Sequence, residues 1–239
     1  MLLVSSLRYF LAKVLFRGVS AWWYKTSFTG ALLSYAIVCQ KSLGTPQPTL
    51  AYINRAMIDE NVQYLLLAFF WWTSKPITLA LVPYTIFSLF HALTFTRTTL
   101  MPRIFPQGPP ATAGGTPTPH PAQKRLQMWV KANYDTAMRI VAYTELVIML
   151  RVFLGALTFR NSLIAPIIFA HFLRARYHQS KFTQASIGQI NSYVEAYVRK
   201  PTTNSMIVYA WDQFKAVLFR WVGSTFVPPN AAGAGARRQ

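Results

Sequence analysis

Apolar residues run through this chain in three long blocks separated by polar stretches, and the blocks are too long and too uniform for the half-buried helices of a water-soluble domain. The first covers residues 1–40 and is interrupted by Arg8, Lys13, Arg17 and Lys25. It predicts two membrane helices, the second over residues 27–39, with Arg8, Lys13 and Arg17 near one stripe of the first. Gly44, Pro46 and Pro48 then break the chain, and residues 41–61 read as a loop followed by a short amphipathic helix.

The second block, residues 62–96, holds a single charge, Lys75. It exceeds the roughly 20 residues of one simple span and falls short of two. Thr73, Ser74, Lys75 and Pro76 divide it, because proline cannot continue a helix comfortably and pushes its predecessor out of the helical region. The pattern predicts a hairpin with unequal arms and a polar tip. Residues 140–173 repeat that shape around Arg160, Asn161 and Ser162. Between the hairpins, residues 97–139 read as a Pro- and Gly-rich linker followed by a basic helix. Residues 174–227 read as amphipathic helices, with Ile187, Ile190, Val194 and Tyr197 at helical steps and a second face of Met206, Ala210, Trp211, Phe214, Val217, Leu218 and Trp221. Residues 228–239 read as a disordered tail. The expected fold is an all-α membrane protein: about four membrane helices arranged as helical hairpins, plus C-terminal amphipathic helices.

Charge adds an orientation. Lys and Arg number 24 against 6 Asp and Glu, for a net charge of +18, while charged residues make up only 13% of a chain that is 53% apolar. Soluble domains carry about 25% charged residues, so a soluble enzyme is excluded and a soluble nucleic-acid binder disfavoured. Arg97, Arg103, Lys124, Arg125, Lys131 and Arg139 lie between the hairpins, and Arg174, Arg176 and Lys181 follow the second, whereas each tip holds one cation. The positive-inside rule puts linker and C-terminal region in the cytosol and the tips on the far side. Residues 1–16 are not read as a cleaved leader, since Arg8 and Lys13 interrupt them and no small-residue cleavage site follows.

Chemistry is sparse. Cys39 stands alone, which leaves no intramolecular disulfide and no cysteine-based metal site. His91, His171 and His178 lie near the ends of apolar arms without acidic partners, and His120 lies in the linker. No catalytic, cofactor or metal constellation is expected. Glu145 and Arg151 are the two charges at membrane depth. They allow either an ion path or a structural role, with Glu145 paired to a cation of another arm and Arg151 reaching the interface. The second is favoured, because a transporter would show more polar positions. Arg174, Arg176 and Lys181 form a juxtamembrane cluster suited to anionic membrane lipids. Trp211, Phe214, Lys215, Leu218, Arg220 and Trp221 are the surface candidates of the last helix, which is either interfacial or packed on its own chain.

Certain segments in this order resemble the transmembrane protein 33 family. They are Asp59-Glu60-Asn61 with Gln63-Tyr64-Leu65, Pro83 with Phe87-Ser88-Leu89-Phe90-His91-Ala92, Glu145, Pro166, Phe172-Leu173-Arg174-Ala175-Arg176-Tyr177, and Lys200-Pro201. The resemblance covers residues 7–221, and the Pro-rich insert points to a fungal member. It implies a non-enzymatic multi-pass protein of the endoplasmic reticulum and nuclear envelope that shapes or stabilises curved membrane and tubules and contributes to nuclear pore complex assembly or distribution. It also implies reticulon-type partners, with nucleoporins or an import receptor as further partners and residues 206–221 as the counterpart of the family's C-terminal amphipathic helix. A membrane-anchored adaptor is the alternative. No nucleic-acid partner is expected, and a homo-oligomer is compatible. Family members carry more chain ahead of the segment matching residues 2–13, so Met1 is expected to be an internal start.

Overall fold

A computed structural model describes residues 1–18, 20–105, 108 and 118–223. The expected tail at 228–239 and most of the Pro-rich linker lie outside the described residues. The described chain is helical, with no strand among the described residues. It divides into two compact units, residues 1–186 and a unit that begins at Ile187.

The first unit opens with α1 (Leu2–Val14) and α2 (Ala21–Leu43). The second helix starts six residues earlier than the pattern alone predicts, because Ser20 caps it by accepting from the Trp22 amide. α1 and α2 meet through small residues: the Ser27 hydroxyl donates to Ser5 Oγ at 2.9 Å, and a Cβ on Gly30 would sit 3.0 Å from the Leu2 backbone nitrogen. Close backbone approach of this kind holds helices together where burial of apolar surface gives little drive.

A short helix α3 (Leu50–Ile58) ends at Asp59, whose side chain accepts from the amides of Asn61 and Val62 and caps α4 (Glu60–Thr73). Past the break at Ser74, Lys75 and Pro76, a 3₁₀ turn (Thr78–Ala80) leads into α5 (Leu81–Phe95). A π-helical turn (Thr96–Leu100) and α6 (Met101–Ile104) carry the same rod onward.

The largest departure from the expected boundaries is α7 (Pro121–Leu157), a single helix of 37 residues. The boundary expected near residue 139 does not exist as a break. No proline or glycine occurs between Pro121 and Gly155, so the basic helix of the linker and the apolar arm are one rod about 55 Å long. α8 (Ile164–Gln179) returns from a loop at 158–163 and contains Arg174 and Arg176, which were expected to follow the hairpin.

Two rods are long and apolar enough to cross a membrane: Thr78–Ile104, and Pro121–Leu157. Only 22% and 39% of their most apolar windows are buried, so Val147, Leu150, Phe153, Leu154 and Leu157 of α7 point outward. That arrangement suits hydrocarbon and would be costly in water. Inside, an aromatic chain forms the core: Tyr9 to Tyr24, Tyr24 to Phe28, Phe28 to Tyr84, Tyr84 to Tyr64, Tyr64 to Phe172, and Phe172 to Phe169, with ring centroids 4.8 to 5.8 Å apart.

α9 (Lys181–Val198) begins in the first unit, and its later turns belong to the second with α10 (Ser205–Gly223).

Candidate functional site: a buried polar node and a charged helix pair

The helical periodicity of α7 buries Met138, Val141, Ala142, Glu145, Ile148 and Val152 on one stripe, and that of α8 buries Ala165, Phe169, Phe172 and Arg176 on another. Each stripe carries one charge, and the two charges meet. Glu145 Oε1 accepts from the Tyr64 hydroxyl at 2.6 Å, and Glu145 Oε2 lies 3.9 Å from Arg176 Nε. Arg176 Nη1 donates to Glu60 Oε2 at 2.8 Å, while its guanidinium stands 5.3 Å from the Tyr64 ring centroid. The Tyr84 hydroxyl donates to the Tyr64 carbonyl at 2.9 Å, and Tyr35 stacks on the Tyr64 ring. Side chains of α2, α4, α5, α7 and α8 thus converge on one polar cluster in an apolar interior.

Arg176 therefore turns inward and does not share the exposure of Lys181. Its side chain is 7% exposed and acts as the internal counter-charge. Lys181 is exposed, with its ammonium 5.0 Å from the Phe182 ring centroid, and Arg174 is partly exposed. Glu145 has a cationic partner on another arm. Arg151, six residues along α7, is exposed on a different face and lines a cavity at the hairpin tips. Glu60 and Tyr64 enter the sequence analysis only as bearers of the family resemblance. The signal that could have assigned them is the helical spacing that puts a charge on each buried stripe and so demands a partner.

In the second unit, Glu195 of α9 and Asp212 of α10 share two cations. Arg199 pairs with Glu195 at 2.6 Å and with Asp212 at 2.8 Å. Lys215 pairs with Glu195 and reaches Asp212 at 3.3 Å. The Trp211 indole donates to Glu195 Oε1 at 3.1 Å. The Lys215 ammonium, with Trp211 and Arg199, pulls the Glu195 carboxyl down to about 2. Lys215, a surface candidate of the last helix, is held by these two carboxylates. Phe214, Leu218 and Arg220 remain exposed, while Trp211 and Trp221 are partly covered. No cluster of three or more metal-ligating side chains occurs among the described residues.

Outward apolar faces around an internal ion pair, on a chain that is helical throughout its described elements, fit an integral membrane protein. The chain belongs to the Transmembrane protein 33/Nucleoporin POM33 family, whose model matches residues 1–221. It is 31% identical over its whole length to "Nucleoporin POM33" of Chaetomium thermophilum, covering 88% of that protein. It is 30% identical to "Tetra-spanning protein 1" of Schizosaccharomyces pombe, over 97% of this chain and 86% of the relative. Human "Transmembrane protein 33" is 23% identical over 76% of this chain and 70% of its own. No solved structure matches the chain at a significant level.

Proposed function

We propose that this chain is a multi-pass protein of the nuclear envelope and endoplasmic reticulum that stabilises curved membrane and contributes to nuclear pore complex assembly or distribution. The observation that carries the reading is the full-length match to a relative named as a nucleoporin, at 31% identity. Four membrane segments make up this reading, in two hairpins: α4 with residues 78–104, and α7 with α8. Helices α4 and α8, of 14 and 16 residues, reach about 21 and 24 Å against a hydrocarbon core of about 30 Å. Hairpins with one short arm occupy one leaflet more than the other. α10 adds area to a leaflet surface through exposed Met206, Ile207, Phe214, Val217 and Phe219.

The test is the position of the fluorescently tagged full-length protein in living cells. Rim puncta coincident with pore markers are expected, and a distribution confined to other membranes would refute the reading. Reconstitution into liposomes addresses curvature separately: tubules or small vesicles at modest protein density support shaping, and unchanged round liposomes with inserted protein remove it. The compactness of the second unit favours one alternative, an adaptor that recruits reticulon-type proteins, nucleoporins or an import receptor.

A further inference from the structure

The two hairpin tips come together around a cavity of about 480 Å³. Its lining combines the partly or fully exposed apolar residues Phe70, Ile77 and Phe159 with the cations Lys75, Arg151 and Arg160. The second tip takes this shape because the amides of Arg160 and Asn161 both donate to the Gly155 carbonyl, and the Asn161 side chain donates to the Val152 carbonyl at 3.0 Å. A Cβ on Gly155 would overlap Asn161 Oδ1 at 1.6 Å, so any larger residue there would displace the Asn161 side chain from its place over α7. That fold brings Arg160 onto the same cavity as Arg151 and the Lys75 tip.

Three cations here lack a neutralising partner. None of the ion pairs among the described residues includes Lys75, Arg151 or Arg160. The chain has only six carboxylates, at positions 59, 60, 135, 145, 195 and 212, and none lines the cavity. Charges at a membrane helix end recruit an anion when the protein supplies none. Asn161 also lines the cavity, with its Oδ1 buried against Gly155. Phe159, which also lines the cavity, is 84% exposed, and its left-handed backbone at φ 54° closes the C-terminus of α7.

We infer that this cavity binds the phosphate of an anionic phospholipid, with Lys75, Arg151 and Arg160 around the headgroup and the acyl chains along Phe70, Ile77 and Phe159. The apolar wall beside the cations favours a lipid over a free phosphate ion. This site is distinct from the juxtamembrane cations Arg174 and Lys181.

The test uses full-length protein in phosphatidylcholine nanodiscs doped with a minor fraction of phosphatidylserine, with retained lipid counted by native mass spectrometry. Wild-type protein should enrich phosphatidylserine, and Lys75→Gln or Arg160→Gln should each lower that enrichment about fivefold, the equivalent of about 1 kcal/mol per charge. The pair should lower it about 25-fold. Arg151→Lys, which keeps the charge, and Lys124→Gln, which lies outside the cavity, should leave it unchanged. Enrichment equal in wild type and the double variant would overturn the site. Displacement of the lipid by inorganic phosphate alone would overturn the lipid assignment, and retention in its presence supports it.

Discussion

Replacing Arg176 with methionine isolates what the internal ion pair contributes. Glu145 is 1% exposed, and Arg176 Nε at 3.9 Å is the cation nearest its Oε2. Without Arg176, Glu145 keeps the Tyr64 hydrogen bond on Oε1 but stands as an uncompensated charge in an apolar interior. Breaking a buried pair this way costs about 3–5 kcal/mol, against 0–1 kcal/mol for an exposed pair. Glu60, the other partner, is 49% exposed and can be rehydrated, so most of the cost falls at Glu145. Glu145→Gln keeps an acceptor for Tyr64 while removing the charge. The double variant Glu145→Gln/Arg176→Met should therefore regain most of the loss and lie about 1 kcal/mol below wild type. Thermal unfolding of full-length protein in lipid nanodiscs reads this out. At about 2–4 °C per kcal/mol for a chain of this size, Arg176→Met should lower Tm by about 10 °C and the double variant by about 2–4 °C. The reasoning fails if the double variant loses the sum of the two single losses, because additivity means that the residues do not communicate.

Three further perturbations read other parts of the fold. Asp59→Ala removes the cap of α4 and the acceptor for the Ser42 hydroxyl, and should destabilise by about 1 kcal/mol in the same unfolding assay, with Asp59→Asn retaining most of that stability. Gly30→Val should cost about 1–3 kcal/mol by forcing α1 away from α2, detectable as a lengthened distance between spin labels on those helices. Glu195 is held low in the folded protein, so its contribution to α9–α10 pairing is present above its ordinary value of 4.5 and disappears as pH falls toward about 2. The ¹⁵N-indole resonance of Trp211 should shift in that window, and Glu195→Gln should abolish the shift.

Local signals made the helical class and the membrane character readable. Pro76 and the Arg160-Asn161-Ser162 run interrupt apolar stretches in ways that a helix cannot absorb, and outward leucines and phenylalanines on α7 match a lipid-facing composition. The continuity of α7 was harder to see, because a change from basic to apolar composition looks like a boundary although nothing in the backbone ends the helix there. The polar node was partly readable. Glu145 demanded a partner, but the Tyr64 contact spans 81 positions and the Arg176 contact with Glu60 spans 116. Proximity in sequence grouped Arg176 with Arg174 and Lys181, whereas its spacing from Phe169 and Phe172 places it on the inward stripe.

The continuous helix α7 also has a mechanical meaning. In the spanning arrangement proposed above, about 30 Å of its roughly 55 Å would be taken up by hydrocarbon, leaving a stiff extension of about 25 Å beyond the bilayer. A change of tilt by about 20°, within the range spanning helices adopt, would sweep the outer end sideways by roughly 9 Å. In that arrangement, bilayer thickness or curvature acting on the embedded half would become lateral motion of Lys124, Arg125 and Lys131, so that a partner resting on them would register the state of the membrane as a displacement.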